Sequence, residues 1–378
     1  MADSLRDDER IVLVLDAGGT SLRFDAMQGG RALLAAPHTL PSFGDDLERS
    51  LAQIVEGFAA AHAATGRRAV ALSIAFPGPA DYRRGIIGDL PNLPGFRGGV
   101  PLGPMLAARF GLPAFVNNDG ALFAYGEALG GLLPFVNERL AAAGSDRRFR
   151  NLLGVTLGTG LGGGMVIDGR LVIGDNAAAG QIWMMRHRDE RPRMAEEGAS
   201  IRAVRRAYAA GAGLALDQVP DPERIAQIAL GEAAGDRGAA AEAFRRLGQV
   251  AGDAIANALA LIDGLVVLGG GLSGAVGLFR AALLDELNGR LEAASGTVDR
   301  LPFRVLDLDD PAGLVALAAD EVRELRVPGT ERTIAYAPHK RTGIGVTRLG
   351  TTAAIALGAY AYALGRIDEP GEPGAISA

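Results

Sequence analysis

The chain contains no cysteine, which excludes disulfide bonds and every metal site built on thiolates. Its four histidines, His38, His62, His187 and His339, lie far apart in the sequence, so we expect no dedicated zinc site. Positive charge is not in excess either, since the formal net charge is −6. Nucleic-acid-binding proteins usually carry a basic surface, and this class of protein is therefore disfavoured.

Long apolar runs are also lacking. The most apolar later stretch, residues 255–272, is interrupted by Asp263 and by four glycines, so it is a poor candidate for a membrane span. The first ten residues are charged and contain no apolar signal core. We therefore expect a cytoplasmic protein that binds neither membrane nor nucleic acid. With 378 residues, the chain is long enough for two domains, because single cores stop growing at roughly 250–300 residues.

A glycine-rich turn follows the first apolar segment. Residues 11–15 are all apolar, three of them β-branched, and predict a buried strand that ends at Asp16-Ala17-Gly18-Gly19-Thr20. Adjacent glycines let the backbone approach an anion, and Thr20 offers a hydroxyl group. Asp16 would repel a phosphate unless a metal ion bridged them. Taken alone, the turn indicates equally a phosphate site with a metal ion or a simple hairpin with a polar turn.

Two further glycine-rich turns favour the first interpretation. Residues 158–164 separate two predicted strands and contain Thr159, as in the first hairpin, which indicates an approximate internal duplication. Gly269-Gly270-Gly271 follows a buried strand and precedes a helix, and backbone without side chains beside a helix N-terminus suits a nucleotide.

Strands alternate with helices along the chain, which is typical of the α/β class. One strand ends in Pro77-Gly78-Pro79, and another delivers Asn117-Asn118-Asp119 to a helix start, where a single polar residue would suffice as a cap. Helices are predicted over residues 45–65, 102–110, 121–129, 201–210, 214–237, 239–260, 276–293 and 349–364, strands over 70–76, 113–116, 151–156, 165–167 and 265–268, and a strand pair within 322–337.

In this order the motifs resemble those of the ROK family of sugar kinases, within the actin-like ATPase and hexokinase superfamily. The resemblance implies an α/β fold with two actin-like ATPase (ribonuclease H-like) domains and a cleft between them. The first domain would comprise residues 1–118, completed by the helix at 349–366. The second would comprise residues 119–348, with insertions near 130–150 and 299–348, and residues 367–378 would form a disordered tail.

The resemblance also implies ATP and Mg²⁺ as cofactors, with the ion held through water by Asp16, and a homodimer. Asp119 would be the general base, and Asn118 would orient the sugar. The implied nucleotide-binding residues are Asp16, Gly18, Gly19, Thr20, Gly158, Thr159, Gly160, Gly269, Gly270 and Gly271. The implied substrate-binding residues are Gly78, Asn92, Asn118, Asp119, Gln181, Trp183 and Glu196.

The sugar motif departs from the family pattern. Members usually carry Gly-Glu-x-Gly-His where this chain has Gly180-Gln181-Ile182-Trp183-Met184, so the Glu is replaced by Gln181 and the His by Met184. The amide can still form hydrogen bonds, whereas the thioether barely can. Trp183 could stack on a sugar face or fill space, and both Trp183 and Met184 are equally compatible with the core.

The family's cysteine-rich zinc loop is also missing, because residues 186–195 form a short charged segment, and we expect no structural zinc. Glu196, followed by Ser200, resembles the family's sugar carboxylate. Glu197 is the alternative, and both residues also suit a helix N-terminus.

Two functions remain open from the sequence. The first is ATP-dependent phosphorylation of a sugar or sugar-like hydroxyl group by a kinase. The second is a non-catalytic regulator that binds a sugar or nucleotide. Repressors of the ROK family carry an N-terminal helix-turn-helix domain, and the ten residues before the first strand lead us to expect none here. The identity of the sugar and the phosphorylated hydroxyl stay open.

Overall fold

The computed structural model describes residues 5–78, 80–89, 93–319 and 321–369. The chain forms two compact units, the first from residues 1–131, 164–180 and 348–378, the second from residues 132–163 and 181–347. The domain boundaries expected from the sequence stay a prediction. The helices are α1 (Leu47–Ala64), α2 (Leu102–Phe110), α3 (Asp119–Gly130), α4 (Leu132–Ala142), α5 (Ile201–Ala212), α6 (Pro222–Leu230), α7 (Arg237–Ile262), α8 (Val276–Leu287), α9 (Pro311–Ala318) and α10 (Thr351–Asp368).

A mixed sheet forms the centre of the first unit. Its strands are β1 (Ile11–Ala17), β2 (Ser21–Gln28), β3 (Arg31–Ala32), β4 (His38–Pro41), β5 (Ala69–Phe76) and β8 (Ala114–Asn118), and the short strands β6 (Ala80–Asp81) and β7 (Ile86–Ile87) form a separate pair. The order is β3-β2-β1-β5-β8, with β4 beside β2, and β1, β5 and β8 run parallel. The continuous apolar run of β1 fits a strand that is covered on both faces, here by α1 and α10.

Helices α3 and α10 pack unusually closely in the first unit. A Cβ atom at Gly126 would collide with the carbonyl oxygen of Ala354, and one at Gly358 would collide with the carbonyl oxygen of Leu122. The buried Glu127 of α3 accepts the backbone N–H of Leu349, just before α10. This pair of helices covers one face of the sheet, where α10 lies against β1 and β5.

A parallel sheet forms the centre of the second unit. The strands β9 (Leu152–Leu157), β12 (Leu265–Gly269), β15 (Arg304–Asp307) and β18 (Arg341–Val346) lie in the order β9-β12-β18-β15. Strand β10 (Leu161–Ile167) follows β9 in the chain, and its last residues, which belong to the first unit, pair with β11 (Arg170–Leu171) across a turn at Asp168-Gly169. Two hairpins, β13 (Arg290–Ala293) with β14 (Gly296–Asp299) and β16 (Arg323–Arg326) with β17 (Thr333–Tyr336), complete the elements.

Several sequence predictions are confirmed. The first hairpin is present, because Asp16 pairs with Arg23 and the N–H of Gly18 donates to the carbonyl of Ser21. The strand pair within residues 322–337 is β16 with β17. The strand before the triple glycine is β12, and the long helix predicted at 239–260 is α7.

Other predictions are wrong in part. The helix predicted at 276–293 ends at Leu287, because the side chain of Asn288 bonds to the backbone of Val305 and the chain then forms β13. The region 214–237 is helical mainly in α6, which begins at the cap Asp221 and ends at Gly231. For the insertion near 130–150 the sequence predicted no element, and the structure has α4 there, with four buried apolar residues.

Among the described residues, none of the helices is both long enough and apolar enough to cross a membrane. The tail predicted as disordered lies almost entirely outside the described residues.

Candidate active site

Several predicted site residues of the first unit lie at the carboxyl ends of neighbouring parallel strands. Asp16 in β1 is in register with Ala75 in β5, and Ala75 is in register with Asn117 in β8. Asn118, the last residue of β8, and Asp119, which comes after it, therefore lie at the same edge of the sheet as Asp16, two strands away. In open α/β sheets this edge is where ligands bind.

Asp119 is the first residue of α3 and is half-buried. Its Oδ1 accepts the backbone N–H of Gly120 at 2.8 Å. Burial raises the pKa of Asp119, and the hydrogen bonds from the backbone N–H groups of Gly120 and of Asp119 itself oppose that rise. The start of a helix also favours negative charge. The result is a carboxylate that is partly desolvated yet held in one orientation, as a general base requires.

Asp16 is the second carboxylate of this edge. Burial raises its pKa to about 6, the nearby carboxylate of Asp119 adds to the rise, and Arg23 opposes it. Two mutually repelling carboxylates at a strand end suit a divalent cation, which relieves the repulsion. A magnesium ion keeps most of its water and needs only one or two protein carboxylates. The residues present therefore fit Mg²⁺, although the described residues contain no cluster of three acidic, histidine or cysteine side chains.

The backbone of the first turn is held by a residue that sequence reasoning missed. The buried Ser42 donates from Oγ to the carbonyl oxygen of Gly19 at 2.7 Å, and its N–H donates to the carbonyl of Thr20. A Cβ at Gly19 would meet no atom within 4 Å, so packing does not require glycine there. Gly18, Gly19 and Thr20 are exposed, which leaves the turn accessible to a ligand.

Asn118 is held at both ends of its amide. Its Oδ1 accepts the N–H of Ala121, which caps α3, and its Nδ2 donates to the hydroxyl of Tyr82 at 3.1 Å. Tyr82 in turn donates to the carbonyl oxygen of Phe76 at 3.2 Å. A Cβ at Gly78 would come within 2.6 Å of the Tyr82 hydroxyl, so glycine is needed there for this approach. Tyr82, a second residue missed from the sequence, thus positions Asn118.

The predicted substrate residue Asn92 lies outside the described residues, as does Pro79 of the Pro-Gly-Pro turn.

In the second unit, the turn after β9 is tied to the start of α5. Gly158 donates its N–H to the carbonyl of Gly160, and the carbonyl of Gly158 accepts the N–H of Ile201 at 2.8 Å. Thr159 at the tip is exposed, and a Cβ at Gly158 would meet no atom within 4 Å. The turn is therefore rigid and keeps an open face.

Glu196 lies against this turn. Its Oε2 accepts the N–H of Leu161 at 3.1 Å and closely approaches Gly160, while Oε1 pairs with Arg202 at 2.9 Å. Glu197 pairs with Arg206 and, at 3.6 Å, with Arg202, and the hydrogen bond from the Arg206 guanidinium lowers the pKa of Glu197. The sugar-binding role predicted for Glu196 stays a prediction, and the contacts show a carboxylate that supports the turn at 158–160.

The altered sugar motif forms a short 3-10 helix, Ile182–Met184. The indole N–H of Trp183 donates to the Oε1 of Gln181 at 2.5 Å, and Trp183 is half-buried. Met184 is 63% exposed, so the interpretation of Met184 as a core residue is wrong. The substrate roles of Gln181 and Trp183 stay predictions, with the acceptor oxygen of Gln181 engaged by Trp183.

The triple glycine lies at the carboxyl end of β12, where Gly269 is in register with Thr156 of β9. Gly270 has a φ of 83° and would collide with the backbone of Leu157 if it carried a Cβ. Gly271 begins a 3-10 helix, Gly271–Ala275, beside an open cavity of about 610 Å³. The turns after β9 and β12 are thus neighbours at one edge of the second sheet, as two turns that bind one nucleotide would be.

The segment that replaces the family's zinc loop closes on itself. The backbones of Arg186 and Met194 form an isolated antiparallel β-bridge, and the N–H of Ala195 donates to the carbonyl of Met185. The buried His187 accepts two backbone N–H groups at Nδ1, from Asp189 at 3.2 Å and Glu190 at 3.0 Å. The imidazole thereby holds the loop through hydrogen bonds.

Two sheets with glycine-rich turns at strand ends, and acidic residues beside one of them, form the arrangement that the sequence motifs indicated. The family model described as ROK family matches residues 12–319, and the chain belongs to this family. The fold, with two actin-like ATPase domains, is confirmed by the solved structures that the chain resembles.

The chain is 50% identical to a glucokinase from Parabacteroides distasonis, with a TM-score of 0.83 over 96% of this chain and 99% of that one. It is 28% identical to an N-acetyl-D-glucosamine kinase of Aliivibrio salmonicida over 76% of this chain and 91% of the relative. A ROK family glucokinase from Streptomyces griseus, solved with glucose and AMPPNP, is 21% identical over 93% of this chain and 98% of that one, with a TM-score of 0.62. Alignments with curated Streptomyces glucokinases span about half of those proteins' length.

Proposed function

We propose that the protein is a sugar kinase that transfers a phosphoryl group from ATP to a hydroxyl group of a sugar or sugar-like compound. The observation that carries the proposal is the placement of Asp119 at the start of α3, on the same sheet edge as Asp16. Relatives named glucokinase and N-acetyl-D-glucosamine kinase support the substrate class. The complex of one glucokinase neighbour with an ATP analogue supports ATP as donor.

In this proposal Asp119 accepts the proton of the attacking hydroxyl group, and Tyr82 and Gly78 keep Asn118 in place beside it. Asp16 would hold Mg²⁺ through water, and the bound ion would supply positive charge to the phosphates. The backbone of the turns at 18–20, 158–160 and 269–271 would face the nucleotide phosphates, because N–H groups without neighbouring side chains can approach an anion.

The test is ADP release in the presence of Mg-ATP across a panel of sugars that includes glucose and N-acetyl-D-glucosamine. We expect at least one sugar to stimulate release strongly. Asp119→Asn should reduce kcat by at least 100-fold and leave ADP affinity unchanged, since a general base contributes about 10²–10⁴-fold. The matched control is Asp45→Asn, an exposed acid of the same unit, which should retain full activity.

A regulator that binds ligands without catalysis is the alternative, because the acceptor of Gln181 is engaged by Trp183 and the sugar motif is altered. A ROK family transcriptional regulator is among the structures of similar fold. The alternative would be supported if ADP and a sugar bound to the wild-type protein and no sugar raised ADP release. Equal turnover by the wild type and Asp119→Asn would contradict the role of Asp119.

A further inference from the structure

A second cavity of the second unit is lined by several cationic side chains. Arg304 is the first residue of β15, and Arg341 is the first residue of β18. The two arginines are in register on neighbouring parallel strands, and Lys340 directly precedes Arg341. All three line an open cavity of about 800 Å³. Since the whole protein has a formal net charge of −6, this cluster of Arg304, Lys340 and Arg341 is opposite in sign to the overall charge.

The cavity lies at the other edge of the sheet from the glycine-rich turns. Strands β9, β12, β18 and β15 all run parallel, and the turns at 158–160 and 269–271 lie at the carboxyl ends of β9 and β12. The cationic cluster lies instead at the amino ends of β15 and β18. A ligand in this cavity would therefore leave the glycine-rich turns of the same unit unoccupied.

The fold neutralises one cation of the lining and leaves others uncompensated. The guanidinium of Arg300, which also lines the cavity, pairs with Asp253 at 2.5 Å and with Glu286 at 2.6 Å. Arg341 donates instead to backbone carbonyls at the end of α9, so its hydrogen bonds are made without a carboxylate that would balance its charge.

Arg304 and Lys340 have still less compensation. Both are exposed, and among the residues that the structure describes neither side chain has an ion pair or a hydrogen bond. Neighbouring strands lie about 4.8 Å apart, so the side chains of Arg304 and Arg341 start close together on one face of the sheet. Two positive charges in this position repel each other unless an anion lies between them.

The two carboxylates that line the cavity reduce the positive charge only in part. Asp299 lies 3.6 Å from the guanidinium of Arg290, and Glu321 lies 3.5 Å from Nε2 of His339. The side chains of Asp299 and Glu321 are 81% and 75% exposed, so water screens their charges strongly. The cationic cluster therefore keeps its attraction for an anion.

A phosphate ester fits this lining. A guanidinium binds phosphate through paired N–H donors and an ammonium binds it as a point charge, so one phosphate group would relieve the repulsion within the cluster. A volume of about 800 Å³ is more than a bare phosphate needs and is typical of sites for small organic ligands. Pro302, Phe303 and Pro338 add apolar lining for the organic part of the ligand.

We propose that this cavity binds a small phosphate monoester, such as a sugar phosphate, through Arg304, Lys340 and Arg341. The inference does not depend on the proposed function, because it concerns the amino edge of the second sheet and includes no step of phosphoryl transfer.

The first experiment uses Lys340, which is the only lysine of the chain. Reductive methylation with isotope-labelled formaldehyde labels Lys340 and the α-amino group alone and keeps their positive charge. Titration with glucose 6-phosphate in the absence of nucleotide should shift the NMR signal of Lys340 with a Kd below about 1 mM, and glucose should not shift it. A Lys340 signal that glucose 6-phosphate does not move would overturn the proposal.

The second experiment removes two of the cations. Arg304→Gln combined with Lys340→Gln should weaken the binding of glucose 6-phosphate at least 10-fold by calorimetry and leave ADP affinity unchanged. Arg323→Gln combined with Arg332→Gln is the matched control, because it removes the same charge from exposed positions of the β16–β17 hairpin that do not line the cavity. Equal weakening in both double variants would indicate unspecific attraction and overturn the proposal.

Inorganic phosphate distinguishes the two sources of a phosphate group. We expect it to compete with glucose 6-phosphate for the site and to bind several-fold more weakly, because it has no organic part to contact the apolar lining. If inorganic phosphate bound as tightly as glucose 6-phosphate, the assignment to an ester would be wrong. Since all three measurements report binding alone, an absence of turnover would count against the proposed kinase activity and not against this site.

Discussion

At the scale of single residues, Asp16 is the side chain whose proposed role conflicts most clearly with stability. Its folded-state pKa of about 6 lies above the ordinary value of 3.8, mainly because of burial. The folded protein therefore binds the extra proton more tightly than the unfolded chain does. This contribution to stability is fully present below about pH 4 and is lost as the pH rises through about 6. At neutral pH the charged Asp16 destabilises the fold in the absence of a cation.

We therefore predict that Asp16→Asn is inactive and more stable than the wild type at pH 7.5. The free energy of unfolding should rise by about 3 kcal/mol, since the pKa is raised from 3.8 to about 6 and each pKa unit corresponds to about 1.4 kcal/mol. Urea denaturation without divalent ions measures the difference at pH 7.5 and again at pH 4.5, where it should shrink. A variant that is less stable than the wild type at both pH values would contradict the prediction.

His187 is a buried residue that holds the loop at 186–195 through hydrogen bonds. Its Nδ1 accepts the N–H groups of Asp189 and Glu190. The loop at 186–195 is therefore held by hydrogen bonds to an imidazole, at the place where the family resemblance implied a zinc site in other members. His187→Ala should lower the free energy of unfolding by about 1–3 kcal/mol, because it removes two hydrogen bonds and the packing of a buried ring. Incubation with a zinc chelator should leave the Tm of the wild type unchanged. A chelator-induced fall in Tm would contradict this account.

The candidate site was predictable from the sequence where a motif is local. Asp16 to Thr20 and Asn118-Asp119 each lie within a few residues of a strand end, so the chain order alone indicates their place. Ser42 and Tyr82 were missed because their hydrogen bonds reach residues 23 and 36 positions away. The position of Glu196 against Leu161 is equally nonlocal, and no spacing in the sequence indicates it.

At the scale of elements, the pair α3 and α10 depends on two glycines that a sequence pattern does not reveal. The approach of Gly126 to Ala354 and of Gly358 to Leu122 leaves no space for a Cβ. Gly126→Ala and Gly358→Ala should each lower the free energy of unfolding by about 1–3 kcal/mol, because the helices would have to separate. Thermal or urea unfolding measures the loss.

The control for this prediction lies in α10 itself. Gly365 is exposed, and a Cβ atom there would meet no other atom within 4 Å, so Gly365→Ala should be neutral or stabilise by up to about 1 kcal/mol. If Gly126→Ala and Gly365→Ala had the same effect, helix propensity alone would explain both, and the close packing would carry no weight.

The errors in predicting elements have a common physical cause. The helix predicted at 276–293 has an apolar pattern that continues past Leu287, but the amide of Asn288 satisfies the backbone of β15 and ends the helix. The helix α4 lies in a stretch for which no element was predicted from the sequence, and its buried face consists of Leu132, Leu133, Val136 and Leu140. In both helices the deciding contacts are tertiary. They are made with residues far away in the sequence, which a local pattern of apolar and charged residues does not include.

At the scale of the whole molecule, the fold class was predictable because glycine-rich turns mark the strand ends in chain order. The composition of each unit was harder to predict. The first unit takes residues from three separate stretches of the chain. The last of these stretches contains α10, which covers one face of the sheet. Ser73 of β5 donates to the carbonyl of Ala359, and the hydroxyl of the buried Tyr360 lies against the backbone at Asp8 and Gly29.

We therefore predict that a chain ending at residue 347 does not form the first unit, because one face of its sheet would lose the cover of α10. Circular dichroism and hydrogen exchange should show loss of protection in β1 and β5. A permuted chain with residues 348–369 linked to residue 5 should restore it, since Asp368 pairs with Arg10 at 2.5 Å and a short linker can join them. Native protection of β1 in the truncated chain would show that α10 is dispensable for this sheet.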